Sequence, residues 1–271
     1  MDDAFRGATN WQRQASGIYQ GSFSADWYQG KGAYGGVVAG ALVRAIEDHV
    51  GDERKRLRSF TVHFAAPATD APTHIEVRTE REGALVSHLS ARMLQKDAVV
   101  AFATGTCAGN RQIAAPEDMR FSPSQELSVP PAEALEPIAD NPLMPRFTQF
   151  FTYRLCYGEI PFSGAPKALV GAWLEPTFPY SLDAALTIAL LDALPPAILA
   201  RSNGFRPAAS VDMTTHLYRD FSDTAQPPQG PFLILAESKW ARDGYTEEKA
   251  QLWSAQKELI AECHQLIAVL G

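Results

Sequence analysis

A run punctuated by Pro116, Pro123, Pro130, Pro131, Pro137, Pro142 and Pro145 occupies the middle of the chain, from Gly109 to about Arg146. Proline fixes φ and removes a backbone donor, so neither a regular strand nor a long helix can run through such a stretch. The core must therefore come from the two segments that flank it. This run reads as a connector over residues 110–145, between an N-terminal unit at 1–109 and a C-terminal unit at 146–271.

Both flanks carry the same order of patterns. In the first, Gly35-Gly36 opens a helix to about His49, with Val37, Ala41, Leu42, Ala45 and Ile46 at helical spacing. Strand-like runs follow at Phe60 to Phe64, His74 to Arg78, Val86 to Leu94 and Val99 to Thr106, broken by Arg81-Glu82-Gly83 and by Gln95-Lys96-Asp97. In the second, Phe151, Tyr153, Leu155 and Tyr157 alternate and a short strand falls near Leu169 to Leu174. A helix is expected from about Leu182 to Leu194, then strands at Ser210 to Tyr218, Phe232 to Trp240, Lys249 to Trp253 and Leu259 to Val269. Thr61-Val62-His63-Phe64 is similar to Thr214-Thr215-His216-Leu217, and Gln95-Lys96-Asp97 to Gln256-Lys257-Glu258. The chain reads as two copies of one α+β unit, each a helix followed by an antiparallel meander.

Composition narrows the function. With 271 residues and 46% of them hydrophobic, the chain can bury a real core. Twenty-four Lys and Arg against 31 Asp and Glu give a formal net charge of −7, which argues against nucleic acid as a partner. Cys107, Cys156 and Cys263 are widely spaced, with no CxxC motif and no disulfide framework, which fits a reducing cytoplasm. The acidic start Met1-Asp2-Asp3 lacks the order of a secretory signal, so no export is expected. The most apolar stretch, Leu182 to Ala200, is broken by Asp183, Asp192 and Pro195-Pro196 and reads as a buried helix, so no membrane association is expected. His63, His88 and His216 lack metal-ligand spacing, and no G-x-S-x-G elbow occurs, so neither a metal site nor an α/β serine hydrolase is expected.

Several local sequences point further. Trp27 through Gly36, Arg58 through Phe64, Arg81-Glu82-Gly83, Asp192-Ala193-Leu194-Pro195-Pro196 and Glu262-Cys263-His264-Gln265 occur in the order and spacing that resembles the acyl-CoA thioesterase II, or TesB-like, family. The resemblance implies a double hotdog, two curved antiparallel sheets each wrapped on a central helix, acting without a cofactor on an acyl-CoA and forming a homodimer or larger homo-oligomer. It implies an active site of Asp192, Ser210 and Gln265 that holds a water against the thioester carbonyl. Serine stands at 210 where the family commonly has threonine.

Those residues carry physical content of their own. Asp192 shares a predicted helix face with Ala185, Ile188 and Ala189, so burial raises the cost of its charge, and the helix C-terminus adds about 0.3 to 1 kcal/mol. Both effects favour a proton on the carboxylate, which suits a general base; the alternative is a surface Asp capping the next turn. Gln265 offers one acceptor and two donors, enough to orient a water or to serve as an ordinary cross-strand partner. A strand-edge Ser210 is by itself more ordinary still.

Gly30-Lys31-Gly32-Ala33-Tyr34-Gly35 matches G-x-G-x-x-G, but no apolar parallel strand precedes it and no βαβ unit follows, so a dinucleotide site is disfavoured. Gly35 and Gly36 instead leave helix N–H groups uncovered for a thioester carbonyl or simply make a close-packed turn. Arg54, Lys55, Arg56 and Arg58 form the one basic cluster and are candidates for CoA phosphates or an ordinary solvated loop. Aligning the two helices sets Asp192 against Arg44, so one active centre per chain is expected, with the first half supplying the acyl pocket. Asp192 can act as a base on water or attack directly to give an anhydride. Two rival functions stand at this point: a non-catalytic acyl-CoA binding or assembly module, and a hotdog enoyl-CoA hydratase. The hydratase pattern would place a His five residues after the Asp, where this chain has Ala197.

Overall fold

The computed structural model describes residues 3–112, 119, 121–123, 128–221 and 228–270. Chain order begins with a short helix α1 (Ala4–Thr9), a hairpin β1 (Gln12–Ala15) and β2 (Ile18–Gly21), and a two-residue pair β3 (Tyr28–Gln29) and β4 (Gly32–Ala33). Helix α2 (Gly35–Val50) then leads into the meander β5 (Arg56–Phe64), β6 (Thr73–Glu82), β7 (Val86–Gln95) and β8 (Ala98–Ala108). The second half runs β9 (Phe151–Gly158), β10 (Ala168–Pro176), α3 (Ala184–Leu191), β11 (Ala208–Leu217), β12 (Phe232–Ser238), β13 (Ala241–Arg242), β14 (Tyr245–Trp253) and β15 (Leu259–Val269).

Leaving out the two-residue β13, which pairs with β14, the main sheet has the order β1-β2-β6-β7-β8-β5-β11-β15-β14-β12-β10-β9. Read outward from its centre, the order is the same in both directions: β5 answers β11, β8 answers β15, and so on to β1 and β9. The centre is antiparallel, and Thr61, matched to Thr214 on sequence alone, is paired directly with it, their hydroxyls 3.0 Å apart. A residue lying on a local two-fold axis must face its own equivalent, so this contact is the duplication seen in space. Each half is a hotdog, and the chain is a double hotdog.

Helix α2 packs against β5 to β8, α3 against β14 and β15, and the two helices against each other. Helix α3, apolar at every position but Thr187, is buried throughout. Its N-cap Asp183 accepts from the Leu186 N–H at 2.9 Å and pairs with Arg44 of α2 at 2.8 Å, which ties the two helices together. Aromatic stacking joins the halves as well: Trp27 lies on Phe150 with centroids 3.9 Å apart and Tyr34 on Phe147 at 4.1 Å.

The expected helix to Leu194 ends earlier, at Leu191, because Asp192 and Ala193 already turn toward Pro195. Strand β14 starts at Tyr245 instead of Lys249, since its inward Thr246 and Glu248 are polar and gave no apolar alternation to read. The polar β1–β2 hairpin was not foreseen. In the connector, of which 113–118, 120 and 124–127 lie outside the described residues, Ala132 is buried with Trp173, Leu233, Trp253 and Leu259, and Pro130 accepts from the Trp173 indole at 2.9 Å. The proline-rich chain therefore covers apolar surface of the second half, separate from the central core.

Candidate active site

Asp192 is the C-cap of α3, half-buried, and sits against the N-terminus of α2. The close approach depends on Gly35: a Cβ there would stand 2.6 Å from Asp192 Oδ2 and 3.0 Å from Phe64 Cζ. Gly36 serves packing in the same way, since a Cβ on it would meet Ala189 Cα of α3 at 2.8 Å. Burial pushes the Asp192 carboxyl up to about 7, while hydrogen bonds from the Gly36 N–H and from Ser210 pull it back. The result is a carboxylate that exchanges a proton near neutrality, the property a general base needs.

Ser210 and Gln265 reach the same place from the sheet. Inward positions on β15 are Ala261, Cys263, Gln265 and Ile267, all buried. On β11 the inward set is Met213, Thr215 and Leu217, and by strict alternation Ser210 would face outward. The register shifts between Ser210 and Asp212, where Val211 bulges. That bulge reverses the parity and turns Ser210 inward, where its Oγ donates to Gln265 Oε1 at 2.8 Å. Gln265 Nε2 has only a 4.0 Å contact to Cys263 Sγ, so its hydrogens are left for another acceptor.

Ser210 has one hydroxyl proton and two neighbours, which makes the three residues a switchable chain. With Asp192 protonated, the carboxyl donates to Ser210 and Ser210 to Gln265 Oε1. With Asp192 ionised, Ser210 turns its proton to the carboxylate and the Gln265 amide rotates to donate to Ser210. The proton gained or lost by Asp192 is thus matched by a rearrangement of the Ser210 and Gln265 hydrogen bonds.

Two further polar groups were missed from sequence. Glu248 is buried, lies directly opposite Gln265 across β14 and β15, and accepts from the Ala197 N–H at 2.6 Å. Burial pushes it up to about 8, the Ala197 N–H pulls it down, and the charges of Asp192 and Glu247 push it up again. Tyr34, the residue before Gly35, buries its hydroxyl with no hydrogen-bond partner among the described residues, and burial followed by the nearby Asp192 holds that hydroxyl well above its ordinary pKa. For Glu248 the signal was present as a charged residue at an inward strand position, visible only once the strand was extended back to Tyr245.

The basic cluster is elsewhere. Phe64 touches the site, and Arg58 lies six residues back along β5, about 20 Å away at ~3.3 Å per residue. Three of its charged groups are engaged: Arg54 pairs with Asp52 at 3.0 Å, the Lys55 ammonium is buried on Gly83 O, Ser87 Oγ and Glu82, and Arg58 donates to Asn110 at 2.6 Å, while Arg56 buries its Nε without a hydrogen-bond partner among the described residues. The structure does not bring Arg54, Lys55, Arg56 or Arg58 to Asp192. Among the described residues no group of three His, Cys, Asp or Glu side chains could hold a metal ion. None of the described helices is long and apolar enough to cross a membrane.

A half-buried carboxylate at the end of α3, set against the glycines that open α2, lies within a double hotdog, and the fold defines the class. Solved structures share the fold throughout. A hot dog fold protein of unknown function from Alicyclobacillus acidocaldarius superposes with a TM-score of 0.90 at 24% identity, covering 100% of this chain and 99% of that one. A putative thioesterase II from Thermobifida fusca YX gives 0.82 at 21%, covering 98% and 97%, and the acyl-CoA thioesterase II TesB2 of Mycobacterium marinum gives 0.76 at 18%, covering 98% of each. No functionally curated protein sequence matches. Family models settle the membership: the acyl-CoA thioesterase N-terminal domain matches residues 23–108 and the C-terminal domain residues 123–269. The chain belongs to the acyl-CoA thioesterase family and is a thioester hydrolase.

Proposed function

We infer that the chain hydrolyses an acyl-CoA to the free carboxylic acid and CoA by direct attack of water, with Asp192 as base and Ser210 and Gln265 holding that water. The Asp192 carboxylate takes one proton as the water oxygen bonds to the thioester carbonyl carbon. The tetrahedral intermediate then expels sulfur, and the proton on Asp192 passes to the thiolate. The observation that carries this reading is the convergence of three residues from α3, β11 and β15, with Asp192 pushed up to about 7. Since the Gly36 N–H is engaged by Asp192, the Gly35 N–H at the start of α2 is the proposed donor to the developing oxyanion.

The two units at 1–109 and 146–271 act as one body in this reading, the first contributing Gly35 and Gly36 to a centre otherwise built by the second. A reducing cytoplasm suits the three free cysteines. The sheet ends at β1 and β9, edges that pairing between copies would cover, so a homodimer or larger assembly is expected, which elution volume measures. The enzymatic reading is tested with acyl-CoAs from short to long and aromatic, following free thiol and free acid together. Equal release of both from at least one member is expected; binding without release from any would overturn it.

A further inference from the structure

Beyond the active site, the segment between Asp192 and Ser210 forms a second feature. Its three-ten turn (Ala197–Arg201) and the following loop enclose a cleft of about 380 Å³ lined by Leu199, Arg201, Ser202, Asn203, Arg206 and Val269, among others. No acidic side chain lines it. Arg201 and Arg206 are exposed, and neither makes an ion pair or a side-chain hydrogen bond among the described residues. In a chain of net charge −7, two uncommitted guanidinium groups at one concave site contrast with the Arg54 region, whose cleft also holds Asp52, Glu53 and Asp220.

The cleft shares strands β11 and β15 with Ser210 and Gln265. Gln265, Ile267 and Val269 are successive inward positions of β15, and Val269 lines the cleft, so the two are about 13 Å apart at ~3.3 Å per residue. On β11, Ala208 pairs with Val269 and precedes Ser210 by two residues. Between the lining residues Gly204 and Arg206 stands Phe205, 80% exposed, its ring 5.6 Å from that of Phe162. An aromatic face that is largely open to solvent and braced on its neighbour offers a stacking surface, while the flanking guanidinium groups suit phosphate oxygens.

We propose that this cleft binds the nucleotide end of CoA, with Arg201 and Arg206 on its phosphates and the adenine ring against Phe205. The inference rests on the acyl-CoA thioesterase reading and replaces Arg54 to Arg58 as the phosphate site. The pantetheine arm then spans the ~13 Å between Val269 and Gln265 and delivers the thioester to Asp192.

The test compares acyl-CoA with the same acyl group on pantetheine, which lacks the nucleotide and its phosphates. Arg201→Glu combined with Arg206→Glu raises the KM for acyl-CoA at least tenfold and leaves kcat within a factor of two. The same pair leaves the acyl-pantetheine kinetics unchanged, and Phe205→Ala raises the KM for acyl-CoA several-fold. Arg54→Glu, a charge reversal at the rival cluster, leaves both substrates unchanged. An unaltered KM for acyl-CoA in the double variant, equal loss with acyl-pantetheine, or a KM rise confined to Arg54→Glu overturns the proposal. Calorimetric titration with CoA itself separates this from failure of the hydrolysis reading: if no thioester is cleaved, CoA binding abolished by the double variant still supports the cleft, and CoA binding unaffected by it, or no CoA binding by the unsubstituted protein, still refutes it.

Discussion

Gly35→Ala isolates the placement of Asp192 from its chemistry. The new methyl would stand 2.6 Å from Oδ2, and reaching ordinary contact at 3.4 Å moves the carboxylate by about 0.8 Å. The three atoms it meets, Asp192 Oδ2 and Phe64 Cζ and Cε1, belong to side chains, so the strain is relieved by displacing the carboxylate and not the backbone. A misplacement of ~1 Å in a catalytic group costs on the order of 100-fold in rate, or about 2.7 kcal/mol of transition-state stabilisation. Helix α2 loses nothing, because alanine is favoured over glycine in a helix by up to about 1 kcal/mol. Thiol release should therefore show kcat down by between ten- and a hundred-fold, with a thermal midpoint equal to or above that of the parent. Gly36→Ala is the contrast: its methyl meets the buried Tyr34 ring and the backbone Cα of Ala189, so the packing of α2 on α3 must shift and the midpoint should fall. Parental kcat in Gly35→Ala would refute the account of how Asp192 is held, and a midpoint drop matching that of Gly36→Ala would refute the side-chain route of relief.

Other consequences can be measured directly. Because Asp192 works as the carboxylate and titrates at about 7, log kcat/KM should fall with decreasing pH below about 7, with a slope approaching one; a flat profile from pH 5 to 8 would exclude it as the base. The same raised value makes its charge a burden on folding. The folded state holds a proton that the unfolded state has released between the ordinary carboxyl value of 3.8 and about 7, so this contribution to stability is complete below 3.8 and lost as pH rises through 7. Asp192→Asn should accordingly raise the thermal midpoint, by an amount that grows from pH 4 to 7 and then levels. Glu248→Gln should do likewise, with its window extending to about 8. Ser210→Ala and Gln265→Ala should each lower kcat by about 10²-fold or less, as loss of one positioning contact to the water, with KM changed little; a pure KM effect would move them from the water to the substrate.

Much of this fold could be read in advance because its meanders alternate cleanly and its turns are local. Lys96, Asp97 and Lys257 take positive φ in the two hairpins that the Gln-Lys-Asp and Gln-Lys-Glu runs mark, and Thr61 meets Thr214 where the duplication places them. Asp192 stood out because a carboxylate on an apolar helix face demands an explanation. What stayed hidden depends on tertiary geometry. One extra residue at Val211 reverses the facing of Ser210, and no local pattern announces a bulge. Glu248 lies in a strand whose first residues are polar on both faces, so its inward direction follows only from its pairing with Gln265. Arg54 to Arg58 drew attention as neighbouring charges, whereas Arg201 and Arg206 are separated in sequence and line one cleft only through the fold of the loop after α3 beside the end of β15.

The central claim is that Asp192 activates the water that cleaves the thioester, and thiol release from an acyl-CoA by the parent and by Asp192→Asn tests it most directly. The account predicts turnover by the parent and a 10²- to 10⁴-fold lower kcat in the variant, of the order that general-base catalysis contributes, with substrate affinity retained. Equal turnover by the two proteins would contradict it.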